Sequence, residues 1–268
     1  MTPAFPLGGF RHRWPRGRWQ RRGRAPVGPC PGRLPGAGKA PGAGRAPGAG
    51  RALVLFTVPA ALFALLLWTL AARHGAPVGP DLAVHRWAVA HRSDRLVAAA
   101  RLLDSTGAGP LPYVAVALAG WTGCARRTAS RREVAAALVG VAILLTGQAV
   151  RLAVLFGLAR PRPPVADWAV LGTDWAFPSG HATTSVLAAG LLAWAVLGSD
   201  APRGAVRLDV LCCVCWAAAV SATRVYLGVQ WPTDEVGGWL LGAAWLALTL
   251  PPLSALAGRT GRTGPLRP

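Results

Sequence analysis

Three short stretches of this 268-residue chain carry side chains suited to an anion: "RPRP" (160–163), "FPSGHATT" (177–184) and "TRVYLGVQWPTDE" (223–235). Arg160, Arg162 and Arg224 offer planar forks that match the oxygens of a phosphate group. Pro178-Ser179-Gly180 precedes an apolar run of helical length, so free backbone N–H groups and the positive end of a helix dipole face away from it. Ser179 suits the N-cap of that helix, and Gly180 lets a ligand come close to the backbone. His181, in the first turn, can donate a proton to a leaving oxygen. Taken singly, each feature has an ordinary explanation: Ser179 as a cap only, His181 as a hydrogen-bonded structural residue, "RPRP" as a loop. Their meeting in one place is what points to phosphate chemistry.

The elements that must position them are apolar. The chain is 53% hydrophobic and only 15% charged, too apolar and too charge-poor for an ordinary soluble domain. A helix needs about 20 apolar residues to cross the hydrocarbon of a bilayer. Six stretches reach or approach that length: 52–72, 109–125, 134–158, 181–197, 208–227 and 236–255. The expected fold is therefore all-α, a polytopic membrane bundle of about six transmembrane helices. The first stretch is too long, and too poorly followed by a cleavage site, for a signal peptide, so it reads as a retained anchor.

The net charge of +19 is unevenly placed. Residues 1–51 hold eleven of the 29 Lys and Arg, including Lys39, the only lysine of the chain, and repeat "KAPGAG" and "RAPGAG" in succession. Pro and Gly at this density neither build a helix nor bury a core, so 1–51 reads as a disordered basic tail. Trp14 and Trp19 among its arginines suit an anionic lipid surface, where each Arg contributes about 1 kcal/mol. Nucleic acid would need no more than this charge, but none is expected as a partner. Residues 256–268 form a shorter basic tail after the membrane domain, 52–255.

Basic residues in short loops mark the cytoplasmic side. Six spans place both tails, the "RRTASRR" loop (126–132) and the 198–207 loop together on that side. The other face then holds 73–108, the 160–178 loop and the 228–235 turn, and all three polar clusters meet there. Segment 81–103 has helical apolar spacing with Asp and Arg interleaved, which suggests a helix lying along the surface. Ionisable groups at membrane depth are expensive and usually functional. An anion gate would need polar groups along the spans, and only Gln148 and Arg151 lie well inside one.

Cys212, Cys213 and Cys215 share one apolar run, where a thiol behaves as a small buried hydrophobe. "CCVC" has neither metal-ligand spacing nor a partner cluster, so no metal site is expected.

In order and spacing, Arg162-Pro163, Pro178-Ser179-Gly180-His181, Thr223-Arg224 and Asp234 resemble the type 2 phosphatidic acid phosphatase and vanadium haloperoxidase superfamily, in its membrane lipid phosphatase branch. The resemblance covers 52–255. It implies hydrolysis of phosphomonoester or pyrophosphate groups of lipids, phosphatidic acid or prenyl phosphates, at the outer face, with no cofactor. It makes His181 the general acid, assigns Arg162 and Arg224 to phosphate, and makes Asp234 the partner of a nucleophilic histidine. Two positions depart from the pattern. The lysine position, seven before Arg162, is Leu155, and the nucleophile position is Gln230. Arg151, one turn before Leu155, is placed to reach the site from the same helix face. An amide nitrogen has a delocalised lone pair and forms no phosphoenzyme, though it still donates a hydrogen bond. Two readings follow: a lipid phosphatase, or a headgroup binder with weak or no turnover. His85 and His91 lie on the outer segment and are not expected to replace the missing imidazole.

Overall fold

The computed structural model describes residues 49–122, 131–172, 175–197, 199 and 201–260, and these are helical and irregular without a strand. The expected disorder of 1–51 and the "RRTASRR" loop lie outside the described residues, apart from the last residues of the tail and the loop's last two, 131 and 132.

Eight α-helices follow in order: α1 Ala49–Ala72, α2 Gly79–Ala90, α3 Asp94–Asp104, α4 Leu111–Thr122, α5 Arg131–Leu158, α6 Gly180–Leu197, α7 Arg203–Tyr226 and α8 Pro232–Thr260. Each of the six expected apolar stretches is one of these helices. Four segments are long and apolar enough to cross a membrane: Val54–Ala72, Ala137–Leu158, Gly180–Leu197 and Arg203–Tyr226. The 12 described residues of α4 are shorter than a crossing requires. At the other end of the chain α8 runs from Pro232 to Thr260.

Helix α6 is the centre of the bundle, packed on α4, α5, α7 and α8, while α1 lies on α8. Val116, Ile143, Leu144, Leu187, Ala188, Leu191 and Leu246 form the core between them. Small residues let α8 come close to α6: a Cβ on Gly238 would stand 2.9 Å from the Ser179 carbonyl oxygen and 2.6 Å from the Ala182 Cβ. This contact joins the start of α6 to the start of α8, the two places where the second and third polar clusters lie. The outward faces are apolar, with Val54, Leu55, Leu62, Leu65 and Trp68 of α1 all exposed, as lipid contact requires. Cys212 and Cys215 belong to this outward surface, not to the protein core, and both are free thiols.

Segment 81–103 is not one helix along the surface. It is a hairpin of α2 and α3, broken at His91–Ser93, where the Ser93 hydroxyl caps α3. It packs on α7 and, through α2, on α8. Three of its polar side chains turn inward: Asp81, His85 and Asp104 are all buried. Arg92 donates to the carbonyls of Tyr226 and Asp167, and Arg101 to that of Ala169, so the hairpin fastens the 159–172 loop and the α7–α8 turn.

Candidate functional site

A cavity of about 670 Å³ opens where α4, α5, α6 and the ends of α7 and the 228–231 turn approach one another. Arg162, Gly180, His181, Arg224 and Gln230 line it, joined by Tyr113, Gln148, Arg151 and Thr184. Seven of the residues singled out in the sequence, Gln148 and Arg151 among them, therefore share one space.

Each is held from behind. Arg162 donates through Nη1 to the Val229 carbonyl at 2.8 Å, which ties the loop after α5 to the turn before α8. Arg224, in the last turn of α7, is 5% exposed. Its Nη1 meets the two carboxylate oxygens of Asp104 at 3.1 and 3.4 Å, and its Nε is buried without a partner. Asp104 Oδ1 also stands 3.6 Å from His181 Nε2. Burial raises the Asp104 pKa, and the Arg224 charge opposes that shift. Gln230 is 1% exposed, and its Oε1 has no hydrogen-bond partner. Arg224 and Gln230, each with one buried side-chain atom lacking a hydrogen-bond partner, both line the cavity.

Three expected site residues lie elsewhere. Arg160 is wholly buried and does not line the cavity. It pairs with Asp81 and Asp234 and also donates to the Gly75 carbonyl and the Thr233 hydroxyl. Two acids draw its guanidinium inward, and none is left facing a ligand. Ser179 is also fully buried: its hydroxyl accepts from the Ala182 N–H at 3.4 Å, the N-cap bond of α6, and its own N–H donates to the Asp234 carbonyl. It shapes the helix start without lining the cavity. Asp234 accepts from Arg160 on one oxygen and from the Trp231 N–H, at 2.9 Å, on the other. That second bond reaches back from the first turn of α8 and satisfies one of the helix's free N–H groups. The carboxylate is committed to these partners.

At the lysine position, Leu155 is fully buried and does not face the cavity; Arg151, one turn earlier, does. Of the outer-segment histidines, His85 Nε2 meets Asp167 at 2.9 Å and its ring tilts on Trp231, so it buttresses the 165–167 turn outside the cavity. His91 caps α2 and is exposed.

Sequence reasoning missed Asp104, Asp81 and Glu235. Glu235 is 5% exposed, and both its carboxyl oxygens lack a hydrogen-bond partner. Asp81, His85 and Ala88 recur at helical spacing and are all buried, as are Ala100 and Asp104, one turn apart. That phase was readable, and it marks an inward face that carries acids.

The model of the PAP2 superfamily matches residues 133–253, a span that contains the cavity's arginines, His181 and Gln230. An undecaprenyl-diphosphatase of Sulfolobus acidocaldarius is 35% identical over 95 residues, which are 35% of this chain and 38% of that relative. The chain thus aligns with well under half of that relative's length. Among solved structures, the first transmembrane PAP2-type phosphatidylglycerolphosphate phosphatase, from Bacillus subtilis, superposes with a TM-score of 0.62 at 23% identity. The superposition covers 78% of this chain and 98% of that one, and it establishes a common fold. The motifs, the all-helical fold and these likenesses agree: the chain is a membrane protein, and its residues 133–253 match the PAP2 superfamily.

Proposed function

We propose that the cavity receives the phosphate or pyrophosphate headgroup of a lipid or prenyl phosphate at the extracytoplasmic face. The observation that carries this reading is the convergence of Arg162, Arg224, Gly180 and His181 on one space at the ends of membrane-embedded helices. The relatives named as an undecaprenyl-diphosphatase and a phosphatidylglycerolphosphate phosphatase support the same substrate class. In this reading Arg162 and Arg224 neutralise the phosphoryl oxygens at the start of α6, and His181 protonates the leaving oxygen. The tail 1–51 adds contact with anionic lipid on the cytoplasmic side, together with the other basic termini and loops.

Turnover is a separate matter, and one observation favours binding without efficient hydrolysis. Gln230 stands where an attacking imidazole is needed, and the Asp234 carboxylate that would orient such a ring is engaged by Arg160 and Trp231. The route through a phosphohistidine at residue 230 is therefore closed in this chain. Purified protein, assayed with a panel of lipid monophosphates and diphosphates and titrated in parallel with orthovanadate, tests both parts. Vanadate binding with little phosphate release is the expected result. Release at the rate of an efficient phosphatase would overturn the weak-turnover reading, and absence of any vanadate binding would overturn the site itself.

A further inference from the structure

The cavity holds a third cation outside the three motif stretches. Arg151 stands two turns before the C-terminal end of α5, and its guanidinium lies against the start of α6. Its Nε donates to the Pro178 carbonyl at 3.1 Å, and a Cβ built on Gly180 would stand only 3.0 Å from its Cζ. One turn before it on the same face, Gln148 donates to the Thr184 hydroxyl at 2.8 Å, and Thr184 in turn donates to the Gly180 carbonyl. Gln148, Arg151, Gly180 and Thr184 all line the cavity, so a short hydrogen-bonded seam between α5 and α6 carries the arginine to its edge.

The glycine then has a reason that a free helix start does not supply. A side chain at 180 would crowd the guanidinium, which would have to give by a few tenths of an ångström. Leu155, fully buried and turned from the cavity, offers no alternative from the same helix.

We propose that Arg151 is a phosphate-binding residue of this site, the third cation that grips the headgroup beside Arg162 and Arg224. This rests on the reading of the cavity as a phosphate site. Its geometry differs from that of the other two arginines. Arg162 is tied to the turn before α8 and Arg224 to Asp104, so both answer to the outer hairpin and turns. Arg151 donates to the Pro178 carbonyl at the α5–α6 seam and reaches the cavity from α5.

The test uses the full-length purified protein in lipid nanodiscs with orthovanadate as the probe. Arg151→Gln should weaken vanadate binding roughly ten- to a hundredfold, the loss expected for one charge-assisted contact. Arg95→Gln, which removes an exposed charge on α3, should leave it unchanged. Binding by Arg151→Gln within twofold of the wild type would overturn the proposal while leaving the phosphate site standing. No vanadate binding by the wild type would overturn the cavity reading and this inference together. If Arg151→Gln fails to fold, the wild type decides: vanadate should protect Arg151 from phenylglyoxal, mapped by mass spectrometry. Equal modification with and without vanadate would sink the assignment.

Discussion

Arg160 and Asp234 form an ion pair in which neither side chain reaches solvent, and it stands behind the cavity instead of inside it. Asp81 of α2 completes the cluster at 2.7 Å from the Arg160 Nη2, and the same carboxylate accepts from the Thr233 N–H and hydroxyl. One guanidinium thus joins α2, the loop after α5 and the first turn of α8. Removing one partner from a buried charge cluster leaves the others uncompensated, typically at a cost of about 3–5 kcal/mol.

Arg160→Met is therefore expected to lower the thermal unfolding midpoint sharply, while Arg162→Met leaves it near the wild-type value and weakens vanadate binding. Thermal melts followed by tryptophan fluorescence, paired with vanadate titration, separate the two roles. An Arg160→Met protein as stable as the wild type but unable to bind vanadate would return Arg160 to the ligand.

These two arginines, two residues apart, mark the limit of what could be read in the chain. The motif stretches, the helix that starts at Gly180 and the shared face of the clusters were all legible, because helix length and loop composition dictate them. Which arginine faces the ligand depends on where Asp81 sits, and that depends on how α2 and α3 fold back on α7 and α8. An amphipathic helix reads the same whether its polar face meets water or a buried guanidinium. Asp104 was hidden for the same reason, although Ala100 and Asp104 share the phase of an inward face. The seam that carries Arg151 was half visible, since its position on α5 was apparent and its bond to Pro178 was not.

Orientation in the membrane follows from charge and is open to direct measurement. In a cysteine-free background, single cysteines at Leu171 and Ser130 should respond differently to an impermeant thiol reagent added to intact cells. Leu171, 91% exposed in the loop after α5, should react, and Ser130, in the arginine-rich loop, should be protected until the membrane is opened. The opposite pattern would place the cavity on the cytoplasmic face.

Glu235 gives the fold a pH dependence. It stands at the start of α8, and burial pushes its pKa up from 4.5 to about 8, with the Arg224 charge among the opposing effects. The folded state therefore holds this proton more tightly than the unfolded chain does. Its contribution to stability is fully present below about pH 4.5 and is lost as pH rises through about 8. Glu235→Gln, which keeps the neutral shape, should flatten that part of the stability profile between pH 5 and 8. Denaturation midpoints measured across this window in detergent would show it, and identical slopes for wild type and variant would refute the assignment to Glu235.

The decisive substitution is at residue 230. The cavity keeps Arg162, Arg224, Gly180 and His181, and Gln230 stands where the resemblance expects the attacking imidazole. Gln230→His restores the imidazole four residues before Asp234, in a position that is 1% exposed. The carboxylate already serves Arg160 and Trp231, yet each of its oxygens has a second lone pair to offer the new ring. The variant should gain phosphate release by at least roughly a hundredfold, short of the ~10⁶-fold that separates a complete catalytic unit from one without its nucleophile. It should also yield an acid-labile phosphohistidine that the wild type never forms. Asp234→Asn in that background should reduce the rate and also lower the unfolding midpoint, because the same change strips Arg160 of a partner. Leu155→Lys should add nothing: the position is fully buried, away from the cavity, and an ammonium there would be desolvated without reaching the headgroup. Equal turnover by wild type and Gln230→His would mean that attack never depended on residue 230. Hydrolysis would then run through water, with His181 at the cavity wall, backed by Asp104 at 3.6 Å, as the group positioned to accept its proton.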